Sequence, residues 1–148
     1  MISEGDLFAV PLRDGGYGVG LAARTDGKGI VVGYFFGRRF EAPPEAGEVD
    51  TGDVVWIHMF GDLGLIEGEW PVIGPLPGWR REDWPMPVFG RRESLTDRVL
   101  RVEYPDDEPN AIPRETRITE SEFADLPEDG LAGAGFVEQR MTRLLGGG

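Results

Sequence analysis

His58 is the only histidine in the 148-residue chain, and cysteine is absent. These two counts remove much of the chemistry that side chains supply. Disulfides, thiolate nucleophiles and cysteine-ligated zinc all need a sulfur that the chain lacks. A metal centre built on one imidazole would draw its other ligands from carboxylates, and no second histidine stands at ligand spacing, so neither zinc nor iron is expected. A Ser-His-Asp relay would join His58 to Ser3, Ser94 or Ser121, and none of these stands at the strand-to-helix elbow that exposes a nucleophile. His58 lies inside the apolar run "DVVWIHMFGD", residues 53–62, where it is expected to pack on a neighbour. On a regular strand it shares a face with Val54 and Trp56.

Carboxylates are the abundant titratable group: 27 Asp and Glu stand against 15 Lys and Arg, for a net charge of -12. Glu67 and Glu69 flank a glycine beside Trp70, and Asp83 adjoins Trp84, so a pair for general acid and base work is available on paper. Such neighbours arise freely in any acidic chain. No catalytic residue, metal or cofactor is assigned, and the chain is read as a non-enzyme. The acidity also argues against nucleic acid as partner, because binding to phosphates leans on cationic neutralisation. Two readings of the charge stay open: acidity that serves only solubility, and a basic protein as partner.

Glycine supplies another apparent motif. "DGGYGVG", residues 14–20, contains Gly18-x-Gly20-x-x-Ala23, the loose form of a dinucleotide fingerprint. Such a loop binds pyrophosphate only where a helix follows and offers its N-terminus. Here Leu21 to Arg24 are all that precede the next break, "TDGKG", and no Gly-Lys-Ser/Thr exists for a P-loop. Asp-Gly between alternating runs is instead a hairpin signal. The stretch is expected to turn a strand.

The elements around these residues read mainly as β. "DLFAVPL" (6–12), the alternation from Tyr17 to Ala22, and "IVVGYFFG" (30–37) form three strands separated by glycine-rich turns, a meander. Residues 41–52, "EAPPEAGEVDTG", are a surface loop, followed by the strand at 53–62. Residues 70–90 hold five of the 12 prolines and three of the 4 tryptophans, which makes the segment extended, irregular and stiff. It is expected to wrap a barrel and cover an edge. "DRVLRVEY" (97–104) is a further strand and "PDDEPNAIPRE" (105–115) a charged turn region. Thr119 or Ser121 can cap a short helix, with Glu122 three after Thr119 and Pro127 as its stop. From 134 to 145, Val137, Met141, Leu144 and Leu145 have helical spacing, although a closing strand from Phe136 to Leu144 is also open. The expected fold is mainly β (α+β), one domain over 1–148. Its form is an SH3-like small β-barrel or a strongly bent antiparallel sheet, with a Pro/Trp-rich wrapping segment and one or two short C-terminal helices. No apolar run approaches the ~20 residues of a membrane helix, and the first nine residues lack a basic apolar leader, so a cytoplasmic protein without membrane contact is expected.

Trp70 and Trp84, each followed by proline, are read as core anchors. Trp79 stands apart, because Arg80, Arg81, Glu82 and Asp83 follow it, and an aromatic beside Arg is the composition of interface hot spots.

"GDLFAVPLRDGGYGVGLA", "WPVIGPLPGWRREDWPMPVFG" and "LPEDGLAGAGFVEQRM" together resemble the immunity protein 26 family of bacterial polymorphic toxin systems, over nearly the whole chain. The resemblance implies a cytoplasmic protein that binds and neutralises a cognate toxin domain. It brings no catalytic or contact residues to carry over. Read with the charge, it places partner contact at Trp79, Arg80 and Asp83, with Asp106, Asp107 and Glu108 and the acids of 41–53 supplying the field. A basic toxin would be steered to such a surface, raising association from about 10⁵–10⁶ towards 10⁸–10⁹ M⁻¹s⁻¹ at low salt, over an interface of roughly 1,600 Å². The other reading is a regulatory β-barrel module that binds a small ligand or peptide in a groove lined by the Trp-Pro segment.

Overall fold

The computed structural model describes residues 2–146. The first four apolar runs become β1 (Asp6–Pro11), β2 (Tyr17–Thr25), β3 (Ile30–Phe36) and β4 (Val54–Gly61), antiparallel neighbours in chain order. The meander follows from the glycine breaks. At the first of these, Leu12 N donates to Gly16 O, and Gly16 has φ +75°; a Cβ there would lie 2.6 Å from the carbonyl oxygen of Phe40. Only glycine fits that turn.

After the one-turn helix α1 (Leu63–Ile66), β5 (Val72–Pro75) adds to the outer edge of β1. β6 (Val88–Arg92), β7 (Val99–Glu103) and β8 (Arg114–Arg117) form a separate antiparallel sheet of three strands. Helix α2 (Glu120–Ala124) carries the expected capping box: Thr119 Oγ1 accepts from Glu122 N and Glu122 Oε1 from Thr119 N. The short β9 (Leu131–Ala132) then pairs parallel to β4, and helix α3 (Ala134–Leu145) closes the described chain. Helical periodicity therefore prevails over the closing strand, with Val137 and Met141 both fully buried.

The six-stranded sheet runs β5-β1-β2-β3-β4-β9 and is buried on both faces. On one face Phe8, Val10, Phe35, Phe60 and Trp70 pack with Val137 and Met141 of α3. On the other, Leu7, Val19, Leu21 and Phe36 lie beneath Phe40, Val49, Leu76, Trp79 and Trp84 from the connecting segments. Two covered faces explain why β1 reads as a nearly continuous apolar run, since a half-solvated strand would alternate polar and apolar residues. A third cluster, Val32, Met59, Phe89, Leu100 and Val102, joins the two sheets.

Three expectations need correction. The SH3-like barrel does not close, because the edge strands β5 and β9 pair with β1 and β4 and not with each other. Residues 136–144, where a closing strand is also open from the sequence, belong to α3, which packs against β1, β2 and β4. The segment 70–90 covers an edge and is irregular over much of its length, as expected, but not throughout, since β5 adds to β1 in a ladder whose register shifts between Leu7, opposite Gly74, and Phe8, opposite Val72. Both of its ends carry strands, β5 and the start of β6. Finally, 105–115 is not all turn, because Arg114 and Glu115 open β8.

Candidate partner-binding surface

Trp79 follows a turn in which Leu76 N donates to Gly5 O and Trp79 N to Leu76 O. Its indole lies flat against Gly5, where a Cβ would stand 2.8 Å from Trp79 Cδ2. One side of the ring is thus committed to the core and the ring is half-buried. Arg80 is exposed and faces Glu82 at 3.7 Å, and Asp83, also exposed, closes a 3-10 turn over Arg81–Asp83.

Arg81 ties this turn to the 105–108 loop. Its Nε donates to Glu4 Oε1 at 2.7 Å, its Nη2 to Asp107 Oδ1 at 2.7 Å, and its Nη1 to Asp106 Oδ2. Asp106 also receives Arg24 Nη2 at 2.9 Å and Nε at 3.1 Å. Arg24 is 3% exposed and its remaining donor, Nη1, reaches Ala23 O and Trp84 O. Partial burial works against the Asp106 carboxylate, but the hydrogen bonds from Arg24 and Arg81 outweigh it and hold its pKa below the ordinary value. Glu4 and Asp106 in turn raise the pKa of Arg81.

Two segments far apart in sequence are thereby locked into one ridge. Trp79, Arg80 and Asp83 stand on one side of the Arg81 clamp, and Asp106, Asp107 and Glu108 on the other. Sequence reasoning missed the residues that join them, Arg24, Arg81 and Glu4. One signal was present: Arg24 is the only charge in the strand "YGVGLAART", and a lone charge in a buried strand needs a partner.

Asp106 and Asp107 are thus spoken for as charges. The acids of 41–53 differ. Glu41, Glu45, Glu48, Asp50 and Asp53 are all exposed, the segment contains no basic residue, and among the described residues none of the five makes an ion pair.

The remaining tryptophans of the Pro-rich segment turn inward. Trp70 is fully buried and stacks on Phe8 at 6.0 Å, while Trp84 meets Tyr34 edge-on at 5.2 Å and the Tyr34 hydroxyl donates to Pro85 O. These are the anchoring roles expected for Trp70 and Trp84. The apolar cavity beside the segment, about 230 Å³, is lined by Ile2, Asp62, Leu65, Ile66 and Val72.

His58 is buried, as expected, and stacks on Trp56 at 5.0 Å with 18° between the rings. Burial lowers its pKa, Glu128 opposes this, and Arg140 adds to it. Among the described residues its Nδ1 has no hydrogen-bond partner. Among the described residues no three His, Asp or Glu side chains are grouped to hold a metal ion, and no helix is long and apolar enough to cross a membrane.

A family model, immunity protein 26, matches residues 3–99. The match runs from before β1 to the first residue of β7 and stops short of "LPEDGLAGAGFVEQRM", so the likeness is narrower than the whole-chain resemblance suggested. No curated protein and no solved structure matches the chain.

Proposed function

Because the chain belongs to the immunity protein 26 family, we propose that this immunity protein acts by stoichiometric binding: it occupies and neutralises a basic toxin domain of a polymorphic toxin system in the cytoplasm of the producing cell, with no chemistry of its own. The observation that carries the basic partner is the row of five unpaired, exposed acids between Glu41 and Asp53, on a chain of net charge -12. Unneutralised acids on one surface raise the local concentration of a cationic partner and speed its encounter. The ridge of Trp79, Arg80, Asp83, Asp106, Asp107 and Glu108 offers a contact in which Arg24 and Arg81 already hold Asp106 and Asp107, so these two lose little side-chain freedom on binding.

Affinity capture from lysate of the source bacterium, at low and high salt, tests this reading. One stoichiometric partner with a basic domain, released at high salt, is the expected result, and the purified partner's toxicity should vanish on mixing with an equimolar amount of this chain. Capture of no protein at either salt would defeat it.

A further inference from the structure

The outer edge of β4 is only partly covered. Its sole strand neighbour on that side, β9, pairs with Met59 and Phe60 and leaves Val54 to His58 without a strand partner among the described residues. Val54 and Val55 are exposed, at 38% and 36%. A β-bulge falls here: Phe35 faces Trp56 but Phe36 faces Val54, so Val55 is the extra residue. Beside the edge, the Arg140 guanidinium lies over Trp56 at 5.2 Å and over Phe136 at 5.1 Å, and Phe136 is 46% exposed. Lysine or proline, the usual protection of an exposed edge, is absent from "VVWIHMFG".

We propose that this edge, from Val54 to Ile57 together with Phe136, is a docking surface for an extended basic segment of the toxin. The proposal rests on the inhibitor reading and adds where the partner sits. An extended segment can add hydrogen bonds along the open backbone and set apolar side chains against Val55, Trp56 and Phe136. Charge selects the occupant at the Val54 end, whereas Arg140 over Trp56 and Phe136 reserves the other end for apolar side chains. The five unpaired acids lead directly into Val54, so cationic side chains on the incoming segment meet them at one end of the edge. A second copy of this chain is a poor occupant, because it brings another charge of -12 and the bulge at Val55 breaks the flat ladder that two like strands would share.

The test uses the isotope-labelled full chain and two blocked peptides of equal length, one alternating Lys with Val and one alternating Glu with Val. With the Lys-Val peptide, outward-facing amides among Val54 to Ile57 should exchange about tenfold more slowly and the Trp56 indole resonance should shift. The Glu-Val peptide should do neither, and about 1 M salt, where the Debye length is about 3 Å, should weaken the effect. Val55→Lys, at an exposed position, and Phe136→Ser should each abolish the slowing while the remaining amides keep their dispersion. Unchanged amides at 54–57 with the Lys-Val peptide overturn the proposal. So does slowing that appears without peptide and grows with protein concentration, which would mean a second copy. A captured toxin whose footprint is confined to the Trp79 ridge would remove this edge and keep the inhibitor. Peptide binding at the edge with no toxin ever captured would keep the edge and remove the inhibitor.

Discussion

His58 contributes through its burial. Its pKa is lowered in the fold, chiefly by desolvation, from an ordinary value of 6.5, so the unfolded chain binds a proton in a range where the folded chain stays neutral. Stability is then fully present above about pH 6.5 and falls as the pH drops from there through the folded pKa. Because no other histidine exists, the proton resonances of one imidazole report that pKa directly, and a midpoint at or above 6.5 would contradict the burial argument. His58→Phe, which keeps an aromatic ring against Trp56, should remove the slope of unfolding free energy between pH 7 and pH 5 measured by urea titration. Asp106 has the same sign at a lower pH. Its folded pKa lies below that of a free aspartate, so the stability it brings is present above about pH 4 and lost as the pH falls through the folded value. Asp106→Ala leaves the Arg24 guanidinium buried with only carbonyl acceptors, for a cost of about 1–3 kcal/mol, held down because Asp106 is itself half exposed. Arg24→Met with Asp106→Ala should recover part of that loss in urea titration. No recovery would mean that the clamp is not what Asp106 contributes.

At the scale of elements, the glycines that mimic a nucleotide loop are there for packing. A Cβ on Gly18 would meet Met141 Cε at 2.8 Å, and one on Gly20 would meet Phe8 Cζ at 2.5 Å and Phe35 Cδ1 at 3.0 Å. The bare backbone of β2 lets α3 and two phenyl rings settle onto it. Gly20→Ala should therefore destabilise by about 1–3 kcal/mol through overpacking and lower the midpoint of thermal unfolding by several degrees. Gly47→Ala, where nothing lies within 4 Å, is the neutral comparison. Equal melting temperatures for the two variants would show that the rings yield freely. The same packing explains which elements were legible in the sequence. β1 to β4 were readable because their apolar content is dense and their ends are marked by glycine. The α2 cap was readable because Thr119 and Glu122 satisfy each other locally. β6, β8 and β9 were not, because "VFGRR", "RETR" and "LA" owe their strand form to neighbours: Gly90 sits under Phe123 and Leu126, and Arg91 pairs with Glu115 and Asp129 across the sheet and beyond it. The site divides along the same line. Trp79 and the acids were visible as composition, whereas Arg24 and Arg81 act only through contacts that the fold creates.

At the scale of the whole molecule, the arrangement of charge separates two kinds of acid. Asp106 and Asp107 lie against Arg24 and Arg81, so their field is largely cancelled at close range, and their work is to hold the ridge. The acids between Glu41 and Asp53 have no such partners among the described residues and sit on a loop whose Ala46 and Val49 pack against the sheet. Long-range attraction follows net local charge, so the loop should govern the rate of encounter and the ridge the lifetime of the complex. With the toxin domain recovered by capture, Glu41→Lys combined with Asp53→Lys should slow association about tenfold at low ionic strength and leave dissociation nearly unchanged. The difference should shrink towards nothing at about 1 M salt, because the Debye length there is about 3 Å. Asp107→Lys combined with Glu108→Lys should slow association less, since one of the two acids removed was already neutralised, and should act mainly on dissociation. Stopped-flow mixing over a salt series reads both constants. If the ridge variant loses as much association rate as the loop variant, the partner approaches a surface other than the one its charge selects, and the division between a steering loop and a holding ridge fails.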